Sequence, residues 1–191
     1  MYSPLLKRAR LYSIIMSKVK LMENILFAKL REGAKIPQRD MWNAGLDIYP
    51  CFEEDYLIIP PNETRLVPTG IASVIPVDYY IQIQERGSSG SKGIKYSAGV
   101  IDSGYRGEWF LATTNCSSKP LVILKADINT LPDSFKALIE ETMIVYPYGK
   151  ALFQGIVHNV HNELGIEEIS ADKVKEYPSQ RGSGKLGSSG K

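Results

Sequence analysis

One segment of the sequence places a single carboxylate where it could act on water. Residues 99–107, GVIDSGYRG, form an apolar run that leads directly into a turn bounded by glycine, and Asp102 stands at the start of that turn. A carboxylate held in this way can orient a water molecule and take its proton as a general base. The same pattern is typical of an Asx turn, in which Asp102 would only cap backbone N–H groups. The segment alone leaves both interpretations open.

A second segment, residues 85–93 with the sequence ERGSSGSKG, carries the groups that bind a polyphosphate. Arg86 can bind two oxygens with its planar guanidinium, and Lys92 adds an ammonium. Glycine lets backbone N–H groups approach an anion closely. Residues 181–191 repeat this composition with Arg181 and Lys185. Each segment also fits an ordinary glycine-rich turn or a solvated, flexible tail.

Two shorter segments complete the set. Residues 43–48, NAGLDI, contain Asp47, which is typical of a turn acid. Residues 149–154, GKALFQ, contain Gln154, which is typical of a surface strand residue. Neither segment is distinctive by itself.

In their order along the chain, these five segments resemble the five motifs of the trimeric dUTPase family. The resemblance covers about residues 24–191. It implies a mainly β, jelly-roll-like barrel (a dUTPase-like β-clip) in a homotrimer, with three shared active sites and a C-terminal strand or arm that crosses between subunits. It also implies hydrolysis of dUTP to dUMP and pyrophosphate, which lowers dUTP and supplies dUMP for thymidylate synthesis.

The resemblance assigns a role to each candidate residue. Asp102 would activate the water that attacks the α-phosphorus, and the ring of Tyr105 would pack under the sugar and exclude a 2′-hydroxyl. The hairpin would read the uracil edge through the backbone of Ala98, Gly99, Val100 and Ile101. The phosphates would contact Arg86, Gly87, Ser88, Ser89 and Lys92, and Gln154 would lie near both the base and the phosphates. The tail that closes over the nucleotide would contribute Arg181, Gly182, Lys185, Leu186 and Gly187.

The resemblance also implies Mg²⁺ as the cofactor, held by the phosphates and by water without a direct protein ligand. Asp47 would support the outer shell of the ion or brace the arginine loop, and the sequence does not separate these roles. His158 and His161 stand three residues apart. We interpret them as ordinary residues at a strand edge rather than as a metal pair.

Three features depart from the family pattern. Gly87 replaces the serine that usually follows the motif arginine, so either Ser88 or Ser89 would hold the phosphate bridge. Leu186 replaces a tail aromatic, which removes base stacking worth ~1–3 kcal/mol and predicts a looser closed state and a higher KM. An insert at about 117–148 would cover one end of the barrel or bind a protein partner.

Two other functions fit the sequence less well. A dCTP deaminase of the same fold needs a glutamate ten residues after the motif aspartate, where this chain has Ala112. A regulatory binder, which viruses and phages build on the dUTPase scaffold, would hold dUTP without releasing pyrophosphate. Asp102, Tyr105 and Arg181 favour turnover over a regulatory binder.

Short strands must position these residues. From residue 24 to about 115, apolar runs are broken every 8–12 residues by Pro, Gly, Asn or Asp, which predicts a β-sandwich or barrel. Ile81, Ile83 and Glu85 alternate with glutamines, so one face of that strand should be dry. Helical spacing after Pro132 predicts one inserted helix from Leu131 to about Val145, and the β pattern resumes at 152–157.

Composition sets the remaining limits. The 191 residues are 43% hydrophobic, and 23 basic against 21 acidic side chains give a net charge of +2. This balance predicts no nucleic-acid or membrane partner. We expect a leader at 1–22, a domain at 23–175 and a flexible arm at 176–191. The leader has the composition of a transit peptide, but a disordered or over-extended leader is favoured.

The two cysteines, Cys51 and Cys116, lie far apart in the sequence and predict neither a zinc site nor a disulfide framework. We expect both to be ordinary buried thiols in a reducing compartment. The predicted location is the cytoplasm, or the host cytoplasm for a viral or phage protein.

Overall fold

The computed structural model describes residues 24–161 and 163–179, and these residues are mainly β-structure. Contacts divide the chain into two units, Met1–Val160 and His161–Lys191. The strands described are β1 Leu26–Lys29, β2 Gly45–Ile48, β3 Tyr56–Ile59, β4 Thr64–Pro68, β5 Ile71–Val74, β6 Tyr79–Glu85, β7 Ile94–Tyr96, β8 Val100–Ile101, β9 Phe110–Asn115, β10 Leu121–Leu124, β11 Ile144–Pro147 and β12 Phe153–Asn159. The helices described are α1 Gly87–Gly90, α2 Asp133–Thr142 and α3 Ala171–Val174, with a 3₁₀ turn at Ile128–Thr130.

The strands form four sheets, and one of them carries the candidate site. Its order is β2-β12-β6-β8, and every pair in it is antiparallel. The long central pair joins β12 to β6, from Phe153 opposite Glu85 to Asn159 opposite Tyr79. The other sheets are β1-β5, β11-β10-β3 and β4-β9-β7. The mainly β fold predicted from the sequence is confirmed.

All four sheets bury their apolar faces in one core. Ile81 is 0% exposed and Ile83 is 2% exposed, so the predicted dry face of β6 is confirmed. Trp109, Tyr146 and Phe153 are the largest fully buried side chains. Burial of one such side chain contributes about 1.5–3 kcal/mol. The core therefore fixes the ends of β6 and β12, where the polar residues of the site begin.

The predicted helix is confirmed, but its end is not where the sequence placed it. Helix α2 ends at Thr142, and Ile144 and Val145 belong to β11. They pair with Leu121 and Val122 of β10 in a parallel register. β-branched residues suit a pleated sheet, and a parallel pair needs a long crossover rather than a tight turn. The chain between β10 and β11 is therefore a crossover connection that contains α2.

One cysteine differs from the prediction. Cys51 is buried, but Cys116 is exposed, so the expectation of two buried thiols is wrong for Cys116. β9 ends at Asn115, whose buried amide donates to the carbonyls of Ile59 at 3.0 Å and Lys119 at 2.8 Å. Because Asn115 faces the interior, the next residue faces outward.

The described part of His161–Lys191 is short and polar. Helix α3 begins after Ser170, whose hydroxyl accepts from the Lys173 N–H at 3.3 Å. Leu164 and Ile166 are exposed. The expectations for residues 1–22 and for the tail residues from Arg181 to Gly187 lie outside the described residues. Among the helices described, none has the length and apolar character to cross a bilayer.

Candidate functional site

A polar cleft of about 450 Å³ opens where β2, β6 and β12 meet the loop after β6. Three of the five sequence segments, at 43–48, 85–93 and 149–154, contribute to its walls. The lining residues are Asn43, Ala44, Gly45, Asp47, Arg86, Gly87, Ser88, Lys150 and Gln154. The fold therefore brings the segments at 43–48 and 149–154, which lie more than one hundred residues apart in the chain, into one cleft.

Arg86 is held in the cleft by a two-pronged ion pair. Its Nε lies 2.9 Å from Asp47 Oδ1, and its Nη2 donates to Asp47 Oδ2 at 3.1 Å. Nη1 donates to the carbonyl of Ala151 at 3.2 Å. A guanidinium has five N–H donors, so two remain for a ligand. Of the two roles open to Asp47, this geometry is that of a brace for the arginine.

The loop after Arg86 separates the two candidate serines. Ser89 is fully buried; its hydroxyl accepts from the Arg86 N–H and donates to the Arg86 carbonyl, each at 3.1 Å. Ser88 lines the cleft, and its Oγ lies 3.5 Å from the hydroxyl of Tyr146. Lys92 is exposed on the following turn and is not a lining residue. Ser88 is therefore the serine available to a ligand.

Gln154 forms the floor of the cleft. It stands opposite Asp47 in β2 and Gln84 in β6, and its Nε2 donates to the Glu85 carbonyl at 2.8 Å. A Cβ at Gly45 would clash with the Gln154 side chain. Glycine at position 45 therefore allows β2 to pack against this glutamine.

Tyr146 supports the cleft from the core. It is fully buried, and its hydroxyl donates to the Ala151 carbonyl at 2.6 Å. Burial raises the pKa of Tyr146, although the hydrogen bond with Ser88 and the charge of Arg86 oppose that rise. The sequence argument did not identify Tyr146 or Lys150 as site residues. Lys150 had a signal, because it is the only cation in the segment 149–154.

β8, the strand that leads into Asp102, lies at the opposite edge of the sheet from β2. β8 pairs with β6, with Ile101 opposite Ile81 and Val100 opposite Gln82. The Gly99 carbonyl accepts from the Ile83 N–H at 2.7 Å, so this carbonyl is engaged within the strand pair. Asp102 is exposed.

The turn that follows Asp102 is anchored through Glu108. The Tyr105 N–H donates to the Asp102 carbonyl at 3.1 Å, and the Tyr105 hydroxyl donates to the Glu108 carbonyl at 2.8 Å. The Glu108 carboxylate accepts from Arg31 at 2.5 Å and from the Gly70 N–H at 2.8 Å. The turn is therefore fixed to the rest of the fold at its end.

Within one chain, Asp102 does not reach the phosphate cleft. Ile101 is opposite Ile81, and Arg86 follows Ile81 by five positions. At about 3.3 Å per strand residue, these backbone positions lie roughly 17 Å apart. Asp102 and Tyr105 are also not lining residues of the cleft. The structure places the two halves of the predicted site at opposite ends of β6.

The two histidines have ordinary surroundings. The ring of His158 stacks on Tyr80 with 5.2 Å between centroids, and His161 Nδ1 lies 3.1 Å from a Glu163 oxygen. In the part of the chain that the structure describes, no group of three His, Cys, Asp or Glu side chains is arranged to hold a metal ion.

Comparisons with known proteins identify the family. The family model described as dUTPase matches residues 32–127. A deoxyuridine 5′-triphosphate nucleotidohydrolase of Leptospira interrogans is 34% identical over 103 residues, which are 52% of this chain and 70% of that protein. The enzyme of the same name from Hydrogenobaculum is 40% identical over 107 residues, 54% of this chain and 73% of its own length. The chain belongs to the dUTPase family.

Solved dUTPase structures share the fold. A mutant dUTPase of Staphylococcus bacteriophage 80alpha with dUpNHpp has a TM-score of 0.64 at 19% identity and covers 88% of this chain and 99% of its own. A mutant dUTPase of phage phi11, whose structure shows the coordination of a structural Mg(II) ion, has a TM-score of 0.58 at 20% identity. The match covers 77% of this chain and 97% of the phage chain. The jelly-roll-like architecture predicted from the sequence is confirmed.

The dUTPase match includes the segments at 43–48, 85–93 and 99–107 and ends before 149–154. Ala112, which stands where a deaminase would need its glutamate, is buried in β9 opposite Leu66. This position neither carries an acid nor lines the cleft.

Proposed function

We propose that this chain hydrolyses dUTP to dUMP and pyrophosphate by attack of water on the α-phosphorus. The observation that carries the proposal is the polar cleft, in which three segments typical of dUTPases converge on Arg86, Ser88 and Gln154. An arginine held in a fixed plane, a hydroxyl that lines the cleft and an amide are suited to a polyphosphate. Family membership supplies the substrate.

Asp102 is the proposed general base. It is an exposed carboxylate in a turn that Glu108 anchors, so it can approach a ligand held on another surface. Tyr105, held by the same anchor, is proposed to pack against the deoxyribose and exclude a 2′-hydroxyl. General-base catalysis contributes about 10²–10⁴-fold in rate.

A complete site needs two chains. Asp102 and the phosphate cleft lie at opposite ends of β6, so the hairpin of one subunit must meet the cleft of another. Val100 is 53% exposed and Tyr105 is 42% exposed, which leaves the hairpin surface open to a neighbour. We therefore propose the homotrimer with shared sites that is implied by the family resemblance, with the domain at 23–175 and the arm at 176–191. Arg181, Gly182, Lys185, Leu186 and Gly187 remain proposed contacts of the arm.

The residues of the cleft fit Mg²⁺ bound through the substrate. The cleft has one carboxylate, Asp47, and Arg86 already neutralises it. This donor set suits an ion whose direct ligands are phosphate oxygens and water. Bound there, Mg²⁺ would neutralise phosphate charge. The proposed compartment is the cytoplasm, or the host cytoplasm for a viral chain.

The test is pyrophosphate release from dUTP, UTP, dCTP and dTTP in the presence of Mg²⁺. We expect turnover of dUTP alone, and a loss of about 10²–10⁴-fold in kcat for Asp102→Asn with nucleotide binding retained. Asp55→Asn, an exposed carboxylate outside the cleft and the hairpin, is the matched control. Equal rates on dUTP and UTP would exclude the role of Tyr105, and full activity of Asp102→Asn would exclude the base.

A further inference from the structure

The net charge of the phosphate cleft depends on one lysine. The cleft contains three charged side chains, Asp47, Arg86 and Lys150. Asp47 and Arg86 form an ion pair with two contacts, at 2.9 and 3.1 Å, and they offset each other. Lys150 therefore supplies the excess positive charge that would attract a polyphosphate.

Lys150 is available for that role. Its side chain is exposed, and its ammonium lies 5.8 Å from the centre of the Tyr146 ring. Among the described residues, none of the ion pairs involves Lys150. Its long, flexible stem lets the ammonium follow a ligand without a change in the backbone.

The backbone of Lys150 is fixed beside Arg86. The next residue, Ala151, presents a carbonyl that accepts both from Arg86 Nη1 at 3.2 Å and from the Tyr146 hydroxyl at 2.6 Å. The Lys150 N–H donates to the Pro147 carbonyl at 3.0 Å. The exposed Lys150 side chain thus begins from a hydrogen-bonded turn on the wall of the cleft.

Lys150 and Gln154 stand at different positions along the cleft. They are four positions apart on the segment that enters β12, so their Cα atoms can be up to about 13 Å apart. A separation near this limit would suit a chain of phosphates rather than one phosphate. Gln154 lies in the sheet, and Lys150 lies at the turn.

We propose that Lys150 binds the β- and γ-phosphates of the substrate as the second cation of the cleft. The inference rests on the proposed function, because dUTP is the polyphosphate that brings these groups. Lys150 acts by direct charge-assisted contact, and Arg86, braced by Asp47, sets the plane in which the phosphate chain lies.

The experiment measures binding of inorganic tripolyphosphate and of dUMP to the full chain by calorimetry. Lys150→Gln should weaken tripolyphosphate about 10-fold, the scale of one charge-assisted hydrogen bond, and should leave dUMP unchanged. Lys150→Arg should retain most of the affinity. The loss should shrink at high salt, because screening weakens the contact.

The matched control is Lys35→Ala. The Lys35 ammonium donates to the Gly149 carbonyl at 3.2 Å, so it contacts the same turn without lining the cleft. We expect this variant to bind tripolyphosphate as the parent chain does. An equal loss in Lys35→Ala would mean that the turn, and not the Lys150 charge, supports binding, and would overturn the proposal.

The outcomes separate the two proposals. Wild-type affinity in Lys150→Gln would overturn the role of Lys150 even if dUTP is hydrolysed. A 10-fold loss of tripolyphosphate binding in a chain that releases no pyrophosphate from dUTP would support the cation site and overturn the proposed function. In an active chain, Lys150→Gln should raise KM for dUTP and change kcat little.

Discussion

The Arg86 guanidinium is oriented before a ligand binds. Asp47 fixes two of its N–H groups and the Ala151 carbonyl fixes a third, so the plane of the side chain is set. A planar, pre-oriented donor loses less entropy on binding an oxyanion than a free side chain does. At the scale of the residue, Asp47 contributes by holding the arginine rather than by meeting the anion.

Arg86→Lys keeps the charge and removes the planar fork. We expect kcat/KM for dUTP to fall about 10–100-fold, because a lysine cannot bind Asp47 and a phosphate in one plane. Arg65→Lys is the control, since Arg65 pairs with Glu63 at an exposed site outside the cleft. Steady-state pyrophosphate release measures both variants, and comparable losses in the two would contradict the argument.

Glu108 anchors the turn that follows Asp102. Its carboxylate is 13% exposed and binds Arg31 and the Gly70 N–H. Glu108→Gln keeps an oxygen for Gly70 but loses the charge, so we expect the free energy of unfolding to fall by about 1–3 kcal/mol. Urea titration measures this change. An unchanged midpoint would show that Glu108 does not stabilise the turn.

At the scale of the element, β12 depends on close packing at Gly155. A Cβ there would lie 2.8 Å from Ile81 Cγ2 and 3.3 Å from Ile48 Cδ1, both in the core. Gly155→Ala should therefore destabilise the fold by about 1–3 kcal/mol through overpacking. At Gly104 an added Cβ meets nothing within 4 Å, so Gly104→Ala is the control. Equal thermal midpoints would contradict the packing argument.

The elements that the sequence predicted well are those with a strong local pattern. Alternation identified β6, and the spacing after Pro132 identified α2. The parallel pairing of β10 with β11 was not predicted, because it depends on contacts between distant residues. For the same reason the sequence argument missed Tyr146, a core residue that contacts the site through the Ala151 carbonyl and the Ser88 hydroxyl.

Prediction from the sequence had the same limit at the candidate site, where contacts between distant residues decide the roles. The segments at 43–48, 85–93 and 149–154 were identified as one group by resemblance, and the fold brings them into one cleft. The sequence did not distinguish Ser88 from Ser89, because the difference is that the Ser89 hydroxyl is used by its own loop. The insert keeps both of its interpretations. Phe135 and Leu138 of α2 are exposed, and a protein partner for them stays a prediction.

At the scale of the whole molecule, the half-buried Tyr96 and the buried Tyr146 limit stability at high pH. Burial raises the pKa of Tyr96 from 10.0 to about 12 and raises the pKa of Tyr146. The unfolded chain loses these protons first, so the stabilisation is complete below pH ~10 and is lost as pH rises towards ~12. Tyr96→Phe should weaken this alkaline loss. Denaturant midpoints of the variant and the parent chain between pH 8 and 12 measure this loss of stability. An equal fall of the midpoint in both chains would contradict the argument.

The opposite placement of Asp102 and the phosphate cleft along β6 also has a genetic consequence. A chain with Asp102→Asn keeps an intact cleft, and a chain with Arg86→Ala keeps an intact hairpin. In the proposed homotrimer, random assembly of these two variant chains should combine the intact halves in about one site in four. The two alleles should therefore complement each other when they are expressed together, although neither supports activity alone.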